Sequence, residues 1–272
     1  MELNEDEKRL AAEACAYMDA HAGELIERFV TSKNPLRLGF ITIFMAGSPG
    51  AGKTEFSQKY LPLIFNERDG ELQKLLAKKG VNISEAETLL VRIDVDEIRS
   101  FLPQYRKTDA ATAIKANAHV IQQAANKGLD ILRNFCLTND ISFLHDGTFG
   151  NYSTMREIIK KSIRAGREVH IYYLYLDPLT AWEFTKAREF LEGRNIIKEK
   201  FINQYVKSKE NVDRAKEEFG DAVKVHCVLK NEKNEVEEIV FNWPSIDRFL
   251  LTQERKGIIR RYSAEELSNL IT

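Results

Sequence analysis

Phe40-Ile41-Thr42-Ile43-Phe44-Met45-Ala46-Gly47-Ser48-Pro49-Gly50-Ala51-Gly52-Lys53-Thr54 puts three signals in one run. Residues 40–46 are apolar, as a strand buried on both faces requires. Residues 47–54 spell G-x-x-x-x-G-K-T, and beyond them Phe56, Tyr60 and Leu61 recur at helical steps. Strand, glycine loop and helix in that order are the context in which this motif is a phosphate-binding loop. Gly47, Ser48, Pro49, Gly50, Ala51 and Gly52 then form a backbone anion cradle at a helix N-terminus. Lys53 is placed to reach the β- and γ-phosphates of ATP, and the Thr54 hydroxyl to hold Mg²⁺.

Outward from the loop, strand-like and helix-like stretches alternate. Residues 88–94, 141–145 and 169–176 read as buried strands; residues 110–137 carry a helical apolar face, as do Met155, Ile158, Ile159 and Ile163 ahead of Gly166. Residues 66–87 read as a helical insertion broken by a turn at Gly80 to Ser84, and 179–219 as helix interrupted near Gly193. Residues 223–229 and 236–241 read as a hairpin around Asn231 to Asn234, followed by short helices at 246–252 and 263–271. Such alternation predicts an α/β fold: a P-loop kinase-like three-layer sandwich, its mostly parallel sheet covered by helices on both faces. The expected organisation is a single domain over 1–272. It divides into an N-terminal helical extension at 1–37, a kinase core at 38–242 and C-terminal helices at 243–272. In the extension, Leu10, Ala14, Tyr17, Met18, His21, Leu25 and Phe29 recur at three- and four-residue steps, and Asn4 with Glu7 forms a capping-box pattern. That extension could pack on the core or dock a partner. His21, inside the apolar series, reads as a packed histidine.

Composition narrows the function. Forty basic and 41 acidic side chains give a net charge of −1, so no basic excess argues for nucleic acid as the main partner. Cys15, Cys136 and Cys227 are isolated, without disulfide or zinc spacing, and read as apolar residues in a reducing compartment. No apolar run approaches the roughly 18 residues of a spanning helix. Residues 1–8 are acidic and unlike a signal peptide. The expectation is a soluble, cytoplasmic protein with no membrane partner.

In open parallel sheets, ligands sit beyond the carboxyl ends of the strands. Four such ends carry polar groups: the loop itself, Asp94 to Arg99, Asp146 to Thr148, and Asp177. Strand alternation aims Asp94 and Asp96 to the same side. One can take a proton from an acceptor hydroxyl while the other orients water on Mg²⁺; the structural alternative makes Asp96 a helix N-cap. Asp146 can accept from a sugar hydroxyl or help place the metal, or else the segment is a turn capped by Thr148 or Ser153. Arg188 and Arg194 lie about 600° apart on a continuous helix, on different faces. A break at Gly193 would let both converge from a lid onto the transferring phosphoryl group. Otherwise they are solvated and paired with Glu189 and Glu192.

The ordered set G-S-P-G-A-G-K-T, I-D-V-D with Pro103 downstream, a long helix, D-G-T and paired arginines resembles the zeta toxin family over roughly residues 38–242. These are P-loop kinases of toxin–antitoxin systems that use ATP and Mg²⁺ to phosphorylate UDP-N-acetylglucosamine. The resemblance implies Lys53 as the loop lysine and Thr54 as the metal-side hydroxyl. It implies Asp96 as general base, and Arg188 and Arg194 as ATP-side arginines. It puts Asp130, Asp146 and Thr148 on the substrate side, with Asp130 and Asp146 standing where the family has glutamates; Asp94 is placed with them from its own position at the strand end beside Asp96. Phe149-Gly150-Asn151 stands where the family often continues with an arginine. The implied partners are a nucleotide-sugar substrate and an antitoxin protein. The alternatives are a P-loop kinase of another small molecule or of a nucleic-acid end, or a non-transferring nucleotide switch. A switch has no use for a second carboxylate cluster facing an acceptor.

Overall fold

Ile41–Ala46 forms the strand expected before the glycine loop (β1), and all six of its residues are buried. A six-residue strand buried on alternate sides is covered on both faces. The computed structural model describes residues 3–61, 89–106, 117–192 and 196–271, with the side chains of 189–192 outside that description. The expected insertion at 66–87 and the expected break at Gly193 lie outside the described residues, as does Arg194.

In chain order, α1 (Glu5–Ala20) and α2 (Ala22–Phe29) precede β1. The helix after the loop, α3, starts at Lys53–Glu55 and widens to π-helical geometry over Phe56–Tyr60. Then come β2 (Val91–Asp94), α4 (Val95–Arg99), α5 (Gln122–Thr138) and β3 (Phe143–Asp146). These are followed by α6 (Tyr152–Arg164), β4 (Glu168–Tyr175), α7 (Pro178–Glu192) and α8 (Lys198–Phe219). The chain closes with β5 (Val223–Lys230), β6 (Val236–Val240), α9 (Ile246–Arg255) and α10 (Ala264–Leu270).

The sheet runs β2-β3-β1-β4-β5-β6. The first five strands are parallel and β6 returns antiparallel to β5, the expected hairpin. From β1 the chain passes outward to β2 and back to β3, then crosses to β4 on the other side. The strand order therefore reverses at β1, and its carboxyl end is the switch point where ligands of open α/β sheets bind. The phosphate loop occupies that place. Register adds a second feature: Asp94 and Asp146 are paired neighbours at the last rung of β2 and β3.

The N-terminal helices pack on α5 rather than standing off. Ala14, Met18, Leu25, Phe29 and Val30 are buried, and the Met18 and Ile98 side chains both close on Gly128 of α5. Each large side chain so buried contributes about 1.5–3 kcal/mol. The exposed pairs Lys8–Glu5 and Arg9–Asp6 on the same segment are worth about 0–1 kcal/mol each, so apolar burial holds it. The Asn4–Glu7 capping box is present, and His21 stacks on Tyr17 at 3.8 Å with Nδ1 2.9 Å from the Tyr17 carbonyl.

Two sequence expectations shift. Of the helical face expected over 110–137, residues 110–116 lie outside the described residues; the described part is a turn at 118–121 and a helix from Gln122. Asn117 explains the delay: its side chain accepts from the Arg106 amide at 2.8 Å and donates to the Gln104 carbonyl at 2.7 Å, tying it to the preceding segment. The strand expected to carry both Asp94 and Asp96 ends at Asp94, and Asp96 lies in α4. Asp94, not Asp96, is the N-cap, accepting the Asp96 amide at 2.8 Å. A carboxylate two residues before the helix interior satisfies an orphan amide, and that wins over continued alternation.

Candidate active site

The loop is gripped from three sides. The Gly47 amide donates to Ser208 Oγ of α8 at 2.6 Å. Gly50 has φ +76° and lies so close to α7 that a Cβ there would meet the Ala181 carbonyl at 2.0 Å. Only glycine tolerates both the left-handed backbone and that approach. At Gly52 the neighbours are Lys230 and Asn234 of the hairpin, and Asn234 Nδ2 donates to Glu55 Oε2 at 2.8 Å. A loop fixed by a strand end, two helices and a hairpin is preorganised for an anion.

Lys53 folds over this loop, donating to the Ser48 carbonyl at 2.6 Å and the Gly47 carbonyl at 3.1 Å. Burial lowers its ammonium from the ordinary 10.5 to about 8. Behind burial come the fields of Asp146, which raises it, Arg188, which lowers it, and Asp94 and Asp96, which raise it. These five groups come from α3, β3, α7, β2 and α4, close enough for the other four charges to act on Lys53.

On the acid side, the Thr54 hydroxyl donates to Asp146 Oδ2 at 3.1 Å. Arg92, two residues before Asp94 on β2, sends Nη2 to the same oxygen at 2.7 Å and Nε to it at 3.1 Å. Its guanidinium also pairs with Asp94 and Glu97. Adjacent carboxylates repel, and the arginine between them is what the Asp94–Asp146 register requires. Burial, then the charges of Asp96 and Asp146, push the Asp94 carboxyl up to about 6. Asp96 pairs with Arg99, which also bonds Gln122 of α5. That pair orients the Asp96 carboxylate.

Thr54 and Asp146 fit Mg²⁺. They are hard oxygen donors side by side at a phosphate loop, where the ion takes one or two protein oxygens and fills the rest of its shell with water and phosphate. Among the described residues no cluster of three or more His, Cys, Asp or Glu side chains forms a metal cage. Asp146 thus stands beside the Thr54 hydroxyl. Thr148 borders the loop through its carbonyl, which accepts the Gly47 amide at 3.4 Å. Asp130 is the sequence candidate outside this network: it is exposed on α5 and paired with Arg133. Asp177 caps α7, accepting the Leu179 amide at 3.0 Å and the Thr180 amide at 3.2 Å.

Phe149 turns into the core. It is buried, edge-on to Phe44 at 5.6 Å. Its φ of +60° is a strained value for a non-glycine residue. Asn211 of α8 holds that backbone by donating to the Phe149 carbonyl at 3.0 Å. Arg92, Ser208, Asn211 and Lys230 were not candidates in the sequence. Arg92 alone had a signal, since its two-residue step to Asp94 places both on one side of a strand. A separate cavity of about 520 Å³ opens beyond the ends of β4 and β5, lined by Tyr175, Asp177, Lys230, Asn231, Glu237 and Arg260 among others.

A parallel sheet in this order, with a phosphate loop at its switch point, defines a P-loop kinase-like α/β fold. A family model described as Zeta toxin matches residues 71–239, more than half of the chain, beginning beyond the phosphate loop. The chain belongs to the zeta toxin family. None of the curated proteins matches it. Among solved structures, one from a study of the PezAT chromosomal toxin–antitoxin system of Streptococcus pneumoniae is 17% identical. It covers 99% of this chain and 93% of its own, with a TM-score of 0.55. The AvrRxo1-ORF1:AvrRxo1-ORF2 complex with sulphate ions is 14% identical over 94% of this chain and 74% of its own, with a TM-score of 0.54. The same complex with ATP gives 13%, 94%, 74% and 0.50. At these identities the likeness is one of fold.

Proposed function

We propose that this chain is a phosphotransferase that uses ATP and Mg²⁺ to phosphorylate a sugar hydroxyl of UDP-N-acetylglucosamine or a related nucleotide sugar. The observation that carries the reading is the electrostatic neighbourhood of Lys53, which feels Asp146, Arg188, Asp94 and Asp96 together. A phosphate loop alone serves switches and transporters equally well. Carboxylates converging on the loop lysine are what an acceptor hydroxyl requires.

In this reading the amides of residues 47–54 cradle the phosphates. Lys53 leaves the Gly47 and Ser48 carbonyls to pair with the β- and γ-oxygens. Thr54 and Asp146 would hold Mg²⁺, which when bound neutralises phosphate charge. Asp96, held by Arg99, accepts the acceptor proton as the hydroxyl attacks the γ-phosphorus in line. Asp94 caps α4 and fixes the Asp96 backbone. Arg188 and Arg194 meet the charge spread over the transferring group. Thr148 and Asp130 are assigned to the acceptor side on family resemblance. The single-domain organisation over 1–272 belongs to the same proposal.

Two further assignments follow from the family. The macromolecular partner is an antitoxin protein, as the toxin–antitoxin naming of the PezAT relative suggests. The site of action is the cytoplasm; among the described residues no helix is long and apolar enough to cross a membrane. The proposal is tested by incubating the protein with ATP, Mg²⁺ and a panel of nucleotide sugars, free sugars, nucleosides and oligonucleotide ends, read by mass spectrometry. A phosphate added to a nucleotide sugar is the expected result. Phosphate added only to another class, or to nothing while ATP is hydrolysed, overturns the acceptor assignment.

A further inference from the structure

Lys230 ends β5 at the mouth of the hairpin and is 3% exposed. Among the described residues its Nζ is buried without a hydrogen-bond partner. Buried ammonium groups are normally paired, because losing hydration is costly unless a counter-charge replaces it. The acid whose charge acts on it, Glu55, is already engaged by Asn234 at 2.8 Å and Lys59 at 3.0 Å. The ammonium instead lies against the phosphate loop, 2.4 Å from where a Cβ on Gly52 would stand. Lys53 bonds the opposite end of that loop, at Gly47 and Ser48. Lys230 also lines the 520 Å³ cavity beyond β4 and β5. It therefore stands between the phosphate cradle and a hollow large enough for a nucleoside.

We propose that Lys230 is a further cation of the nucleotide site, beside Lys53 and the arginines, donating from Nζ to a phosphate oxygen of the bound nucleotide where its nucleoside end leaves the loop for the cavity. This rests on the nucleotide-binding reading above. Burial lowers the ammonium's pKa before any ligand arrives, and an incoming phosphate would reverse that by supplying the missing counter-charge. The hairpin thereby becomes a working part of the site, with Asn234 clamping it to Glu55 and Lys230 reaching the phosphates. A charge-assisted contact of this kind changes affinity by about tenfold or more.

The test measures ATP and ADP affinity by calorimetry, and the melting temperature of the ligand-free protein, for the full chain and for Lys53→Met, Lys230→Met and Lys230→Arg. Lys230→Met is expected to weaken both nucleotides by about tenfold or more. Its ligand-free melting temperature should match or exceed wild type, because it removes an unpaired buried charge. Lys230→Arg should recover most of the affinity. Wild-type affinity in Lys230→Met, alongside weakened binding in Lys53→Met, overturns the role of Lys230 and leaves the nucleotide site standing. A lower melting temperature in Lys230→Met, with no recovery of affinity in Lys230→Arg, makes the residue a structural support and also overturns it. Absence of ATP binding by the wild-type chain overturns the nucleotide site and this proposal together.

Discussion

Lys53 holds a charge that the fold makes expensive to keep, and that gives it a pH signature. Burial brings its pKa to about 8 from 10.5. The unfolded chain therefore binds the proton more tightly between those values, and stability contributed by this group rises with pH across that window. Nucleotide binding runs the other way. Phosphates pair with the protonated form, so ATP affinity should be flat below about pH 8. Above it, affinity should fall by up to about tenfold per pH unit. Calorimetric titrations from pH 6 to 10 check this; Lys53→Met should lack the break, and a wild-type profile flat to pH 10 contradicts it. Lys53 and Thr54 stood out in the sequence because the motif that holds them is eight consecutive residues long. Arg92 was legible only in its two-residue step to Asp94, since the rest of its meaning depends on Asp94 and Asp146 being register neighbours. That adjacency follows from β2 and β3 lying side by side, and no local pattern in either strand encodes it.

At the scale of elements, the close fit between the loop and α7 makes a quantitative prediction. Gly50→Ala imposes a left-handed backbone on a Cβ residue and drives that Cβ to 2.0 Å from the Ala181 carbonyl. Gly166→Ala imposes a similar φ of +69° with nothing within 4 Å. Urea unfolding should therefore show a loss of about 1 kcal/mol for Gly166→Ala. For Gly50→Ala the loss should be larger by about 1–3 kcal/mol, accompanied by loss of ATP affinity. Equal losses in the two variants would mean that α7 does not press on the loop as described. Hydrophobic period located the strands and most helices, including both strands of the hairpin and the helices on either side of the expected Gly193 break. It erred where a polar side chain takes over a backbone duty. Asn117 delays α5, and Asp94 ends β2 and starts α4, which moves Asp96 off the strand and onto a helix.

Over the whole molecule, the order β2-β3-β1-β4-β5-β6 brings distant stretches to one edge. β3 delivers Asp146 to Thr54, β2 and α4 deliver Asp94 and Asp96, α7 carries Arg188, and the hairpin carries Lys230. The glycine loop announced the fold class because its context is local. The convergence was only inferable from the general rule that ligands sit at strand carboxyl ends, and that rule did not single out Lys230 or the supporting Ser208 and Asn211 of α8. The N-terminal helices, undecided in sequence, bury Met18 and Leu25 against the rest. What unites these pieces is the claim that Asp96 takes a proton from an alcohol held opposite the nucleotide's last phosphate. Single-turnover transfer from radiolabelled ATP to UDP-N-acetylglucosamine, compared between wild type and Asp96→Asn, puts that claim at risk. A rate lower by about 10²–10⁴-fold, with ATP affinity unchanged within about twofold, is the predicted outcome. Transfer by Asp96→Asn at the wild-type rate would contradict it.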